Sequence, residues 1–270
     1  MSAELTATVE RPPRRVEHAR QAPRQYPQGL IRTTILFLLA AYFALPMYWL
    51  AVSSTKSTSS LFGSEGLWFS HPQFWQNLAS LFRYDDRSYL QWALNSILYA
   101  GVGAIGATLL AVMAGYGLAK HDFPGRNLVF SLILAGVLVP VTALALPLYL
   151  LASKIGVVDT YWSVLVPGLV SPFGVYLARV YVEQALPDDL LDAARIDGAG
   201  EWVIFVRIVL PVVKPAVVTI FLFQFVSIWN NFFLPLIMLS SQHLFPITLG
   251  LQSWSTRATR EPVLYSLVVA

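Results

Sequence analysis

The run from Leu90 to Ala119 reads LQWALNSILYAGVGAIGATLLAVMAGYGLA and contains no Asp, Glu, Lys, Arg or His. A bilayer core about 30 Å thick is crossed by about 20 mostly apolar residues in a helix, so this run is long enough to span. Its glycines, Gly101, Gly103, Gly106, Gly115 and Gly117, read as positions of close helix packing. Four comparable runs accompany it: Thr33 to about Thr55, Asn127 to Ser153, Thr160 to Ala178 and Ala216 to Leu239. Barrel strands would alternate apolar and polar residues over about ten positions, whereas these runs are continuously apolar. A sixth run begins at Pro262 and reaches only Ala270, too short for a spanning helix. The expected fold is all-α, a polytopic membrane helix bundle with a six-span pattern whose last span is truncated.

Composition agrees. Of 270 residues, 56% are hydrophobic and 12% charged, about half the charged share of soluble domains, and mean hydropathy is +0.59. That excludes a single water-soluble domain and a chain disordered throughout. The absence of cysteine excludes disulfides, Cys-ligated metals and thiol catalysis. Residues 1–29 mix Arg11, Arg14, Arg15, Arg20 and Arg24 with four prolines and are expected to be a disordered tail, too polar to bury a core. The following apolar run is too long for a cleavable signal peptide. A basic tail invites a nucleic-acid partner, but Lys and Arg held on the cytoplasmic side of a membrane explain it more simply. With the N-terminus inside, segments 1–32, 119–126 and 179–215 hold twelve Lys and Arg, against six in the outer segments. The expected location is therefore the cytoplasmic membrane, multi-pass, with a cytoplasmic N-terminus and lipid as a partner. The outer loop 56–89 carries Trp68, Phe69, Phe74 and Trp75, which suit a short interfacial helix.

The five complete runs contain no ionisable side chain, so neither an intramembrane proton relay nor a nucleophile–base pair is legible in them. His18, His71, His121 and His243 lie in loops or near span ends, without metal-ligand spacing. No catalytic residue, cofactor or metal is expected. Uphill transport would need energy from another subunit.

One inside segment has an organisation of its own. Within 183–215, Pro187 suits the first turn of a helix and Asp188 and Asp189 suit its positive end. Leu190, Leu191, Ala193 and Ala194 give a small apolar face, and Gly198 closes the helix as a C′ glycine. Glu201 opens a second helix with Trp202, Phe205, Val206 and Val209 as its apolar residues. Pro211 and Pro215 break the chain before the next span. The expected form is a helix–turn–helix knob with small residues at its tip.

Asp192-Ala193-Ala194, Gly198, Ile208, Leu210 and Pro211 form the pattern D-A-A-x3-G-x9-I-x-L-P. It resembles the EAA motif of permease subunits in binding-protein-dependent ABC importers, with Asp where that consensus has Glu. His121-Asp122-Phe123-Pro124-Gly125-Arg126 resembles the short loop after the second span of carbohydrate-uptake permeases, and Trp229-Asn230-Asn231-Phe232 resembles their fifth-span W-N-[DEN]-[FY] signature. The likeness covers about residues 30–262, and the implied subfamily is the oligosaccharide-type permease, similar to the inner subunit of maltose-type importers. That family normally completes a sixth span and a basic tail.

The resemblance implies the type I ABC importer permease fold and a translocation function for a sugar or oligosaccharide. It divides the chain into the tail 1–29, a first helix and outer loop over 30–90, and the permease core 91–270 with its coupling loop 183–215. The implied partners are a pair of ATPase subunits, a second permease subunit, an extracytoplasmic solute-binding protein and the sugar. ATP hydrolysis falls to the partner, since this chain has no G-x-x-x-x-G-K-[ST] phosphate loop. Ala193, Ala194, Gly198 and Ala199 would let the knob seat closely on the ATPase, with Arg195, Asp197 and Glu201 making polar contacts around it. The plainer reading is an amphipathic loop resting on headgroups. Trp229, Asn230 and Asn231 are candidates for the translocation path, by aromatic stacking and amide contacts, or for interhelical hydrogen bonds. Asn95 and Gln224 fit interhelical bonding better. Pro140, Pro147, Pro167 and Pro172 mark expected kinks. Alternative functions are an amino-acid or peptide permease, a membrane scaffold without transport, and a membrane enzyme.

Overall fold

A computed structural model describes residues 28–63, 66–69 and 72–269. Most of the tail 1–29 lies outside them, but Gln28 and Gly29 already belong to the first helix. Every described element is helical. In order they are α1 (Gln28–Ser54), α2 (Thr58–Gly63), α3 (Phe74–Arg83), α4 (Ser88–Lys120), α5 (Arg126–Val137), α6 (Ala145–Lys154), α7 (Tyr161–Gly168) and α8 (Pro172–Ala185). There follow α9 (Asp188–Ile196), α10 (Glu201–Ile204), a π-helical turn (Phe205–Val209), α11 (Leu210–Val212), α12 (Lys214–Trp229), α13 (Phe233–Met238), α14 (Ile247–Arg257) and α15 (Val263–Val269). The chain forms two compact units, one ending at Trp49 and one beginning at Leu50.

In the first unit, α1 leaves its apolar side chains exposed all round, among them Leu36, Phe37 and Phe43. A helix apolar on every side is suited to a membrane span. In the second unit α4 is the axis. It packs against α8 and α12 along its length and against α7 and α14 more briefly. Ala100, Ala104, Ala107 and Ala111 are buried along its inner face. A Cβ on Gly103 would sit 2.9 Å from Ile228, one on Gly106 would collide with Leu169, and one on Gly115 would sit 2.6 Å from Ala178. These three glycines are the close-packing positions the sequence suggests. Gly101 and Gly117 have open space instead.

Three of the apolar runs depart from straight spans. The run 127–153 bends by 99° between α5 and α6, where Leu138–Pro140 leave the helix and Val141–Leu144 form a 3₁₀ turn. Pro147 produces no kink, because it lies in the first turn of α6, where its missing N–H costs nothing. The fourth span breaks at Leu169–Ser171 and resumes with Pro172 in the first turn of α8. It continues to Ala185, seven residues past the expected end at Ala178. Arg179 allows this extension: it pairs with Glu183 at 2.8 Å and lies 3.9 Å above the Phe130 ring, so charge enters the helix without ending it. The run 216–239 is interrupted after Trp229, and the chain turns by 81° where α11 meets α12, between Pro211 and Pro215. Among the described residues three helices are long and apolar enough to cross a membrane, or up to five if each bent pair is one span.

The two ends of α4 anchor different structures. Near its start, Asn95 donates to the carbonyls of His243 (2.8 Å) and Phe245 (3.0 Å) and accepts from Tyr161 Oη (3.1 Å). Tyr99 Oη donates to the Leu244 carbonyl and Trp92 Nε1 to that of Gln242. Asn95 therefore holds distant segments together, as expected, and so does Gln224, which bonds Ser171. Near its finish, α4 meets the knob.

Candidate functional site

The knob comprises α9 and α10 with the turns around them. Asp188 is the first helical residue of α9 and Pro187 its N-cap, one position earlier than the first-turn role expected of that proline. At the other end Gly198 adopts φ +82°, and its N–H bonds the Arg195 carbonyl while that of Ala199 bonds Ala194. This is the Schellman closure that a C′ glycine permits. Gly200 is the N-cap of α10 and Glu201 its first residue.

Burial corrects the expected apolar faces. Leu191, Ala194, Ile204, Phe205 and Val209 are buried, with Ala199, Ile208 and Leu210 packed beside them. Leu190, Ala193, Trp202 and Val206 are exposed instead, together with Ile196 at 86% and Val203. The π-helical turn over Phe205–Val209 shifts the register, so the straight α-helical spacing assumed for the second helix fails there. Pro211 is exposed in α11. The knob therefore carries an exposed apolar ridge from Leu190 and Ile196 to Trp202. Sequence reasoning missed Ile196 and Leu190 as parts of that ridge; the available signal was a pair of apolar residues left over once Leu191 and Ala194 fill the buried stripe.

The polar residues mostly serve the knob itself. Arg195 Nε donates to Glu201 Oε1 at 3.0 Å and its Nη1 to Asp192 at 3.1 Å. Glu201 Oε2 also accepts from Tyr116 Oη at 3.1 Å, and His121 Nε2 lies 3.4 Å away. The Arg195 hydrogen bond, opposed in part by burial, holds the Glu201 carboxyl below its ordinary value, and Glu201 in turn holds Arg195 above its own. Both stay ionised at neutral pH. Arg195 and Glu201, expected to make polar contacts around the seated knob, bond each other across the turn, and Glu201 also reaches α4. Asp197 is exposed at the C-cap of α9. In the adjoining loop, Gly125 takes φ +83° as the N-cap of α5 and Arg126 bonds Asp122 at 2.7 Å.

The model for the family described as binding-protein-dependent transport system inner membrane component matches residues 107–265, more than half of the chain. The chain belongs to that family. This inner membrane component is 34% identical over 242 residues to the arabinooligosaccharides transport system permease protein AraQ of Bacillus subtilis, covering 87% of this chain and 83% of that protein. It is 32% identical to the lactose transport system permease protein LacG of Rhizobium radiobacter, over 86% and 83% of the two chains. It is 31% identical to the diacetylchitobiose uptake system permease protein NgcG of Streptomyces coelicolor, over 84% and 74%. Its fold matches a chain in the crystal structure of a bacterial ABC transporter involved in import of the acidic polysaccharide alginate, with a TM-score of 0.78 over 90% of each chain at 22% identity.

In this inner membrane component the other candidate residues sit far along the chain from the knob. Trp229 ends α12, half-buried, its ring stacked on Phe225 at 5.8 Å, and Phe225 lies 5.9 Å from Phe221. Asn230 is exposed and its Nδ2 bonds the Val226 carbonyl in its own helix. Asn231 Oδ1 accepts from the Leu234 N–H at 3.3 Å, capping α13, while its carbonyl accepts from Thr248. Each amide side chain thus bonds within its own segment and helps the helix to stop there. Helix interruptions at membrane depth occur where protein or a water-filled cavity satisfies the freed backbone.

Proposed function

We propose that this chain is the permease subunit of an ATP-driven importer that moves a sugar or oligosaccharide across the cytoplasmic membrane. In this reading the N-terminus and the knob face the cytoplasm, and the loop 183–215 seats on one of a pair of separate ATPase subunits. A second permease subunit completes the pore over the core 91–270, and an extracytoplasmic binding protein delivers the sugar. The observation that carries the reading is the exposed ridge of Leu190, Ala193, Ile196 and Trp202 on a knob braced by Arg195, which pairs with Glu201 and Asp192. An apolar ridge on a braced, protruding element is built to be covered by a partner. The named arabinooligosaccharide, lactose and diacetylchitobiose relatives support a saccharide cargo. Trp229, Asn230 and Asn231 are proposed to line the path, since they combine a stacked ring with amides at a helix break.

The test uses the whole complex in vesicles, with ATPase activity stimulated by loaded binding protein as the readout. In Gly198→Asp the new side chain is forced into a left-handed backbone at the ridge, and stimulation is expected to be lost while the bundle still assembles. Wild-type stimulation in that variant would sink the coupling assignment. The saccharide that stimulates identifies the cargo.

A further inference from the structure

We infer that the final turn of α4, through Tyr116 and Lys120, is the receiver by which the knob moves the membrane bundle. This rests on the coupling reading above and adds a second half to it. The knob is joined to the bundle covalently through α8 and α12, but α4 is joined to it only through contacts. Its polar contacts with α9 and α10 fall on the first residue of each. Lys120 Nζ bonds Asp188 at 2.6 Å, its side chain only 8% exposed, and Tyr116 Oη bonds Glu201 at 3.1 Å. Each carboxylate sits on the first residue of its helix, the positive end of the helix dipole. The Tyr116 ring is buried, packs on Phe205 at 5.9 Å, and meets the His121 ring edge-on at 5.2 Å. A shift of the knob as a body therefore displaces the end of α4 unless these contacts break.

What α4 receives it can pass on. One residue from Tyr116, Gly115 lies so close to α8 that a Cβ would fall 2.7 Å from the Arg179 backbone nitrogen. Farther along, Gly106 and Gly103 press on Leu169 and Ile228, and Asn95 and Tyr99 hold the 243–245 segment at the opposite end. Close-packed contacts of this kind move together rather than deform. Tyr116 and Lys120 are positioning residues: they touch no cargo and no nucleotide.

The experiment compares Tyr116→Phe/Lys120→Met with wild type in the complete vesicle-reconstituted complex. ATPase subunits are expected to co-purify normally with an unchanged basal rate. Stimulation by loaded binding protein is expected to fall roughly 2- to 30-fold, with each single substitution falling less. Glu201→Gln, which keeps an acceptor for Tyr116, should retain more stimulation than Glu201→Ala. Wild-type stimulation in the double variant would overturn the inference. Should the double variant fail to assemble, Tyr116→Phe, which removes one hydroxyl, decides by the same readout. Loss of stimulation in Gly198→Asp beside a normal double variant means the receiver alone is wrong; normal stimulation in both means the coupling site itself is wrong.

Discussion

Gly115 and Gly117 are two residues apart on α4 and have opposite surroundings. A Cβ on Gly115 would meet Ala178 at 2.6 Å and backbone beyond it, whereas Gly117 has nothing within 4 Å. Gly115→Ala must push α4 and α8 apart and is expected to cost about 1–3 kcal/mol. Gly117→Ala should stabilise the helix by about 0.5–1 kcal/mol, since it removes only backbone freedom. Thermal unfolding of the two purified variants checks both signs; equal shifts would refute the close crossing. Gly198 is a third kind of glycine. Its surroundings are open, so Gly198→Ala is penalised only by its left-handed backbone, at about 1–2 kcal/mol.

At the scale of elements, Asp159 joins the turn before α7 to the segment after α13. Its N–H bonds the Met238 carbonyl at 2.9 Å. Its carboxylate accepts the Ser241 hydroxyl at 2.6 Å and the N–H groups of Ser240 and Ser241 at 2.8 and 2.9 Å. The Ser241 hydroxyl, then the two N–H groups, hold this carboxyl below its ordinary value. A lowered folded pKa stabilises the ionised form. The contribution is therefore complete above the unfolded value of about 3.9 and disappears as pH falls through the lower folded value. Asp159→Ala is expected to cost on the order of 1–3 kcal/mol at neutral pH. The gap in unfolding temperature between it and wild type should narrow as pH falls through the lowered folded value. A gap that stays constant with pH would show that the clasp is not electrostatic. No cue to this contact is legible along the chain, because Asp159 and Ser241 are distant in it and neither belongs to a pattern.

For the whole molecule, the absence of cysteine makes sidedness directly measurable. Ser80→Cys on α3 and Ala193→Cys on the knob both place a thiol at an exposed position. A membrane-impermeant maleimide added to intact cells is expected to label the first and not the second, with the reverse in inside-out vesicles. Labelling of Ala193→Cys from outside would invert the proposed orientation.

Periodicity, charge and motif spacing by themselves determined that the chain is all-helical, that it is a membrane protein with five long apolar runs, and that a glycine-closed knob follows the fourth. Those features are local: continuous apolarity, a left-handed glycine and paired prolines act within a few residues of themselves. Only the tertiary structure decided which knob residues are buried, that Glu201 bonds both Arg195 and Tyr116, and where Asp159 finds its partners. It also decided that the run 127–153 bends sharply, that the chain turns again just before α12, and that the fourth span outlasts its apolar stretch. The physical reason is that a side chain's exposure and charge pairing depend on the elements packed against it. Those elements lie up to 85 positions away for Tyr116 and Glu201, and no pattern along the sequence encodes that meeting.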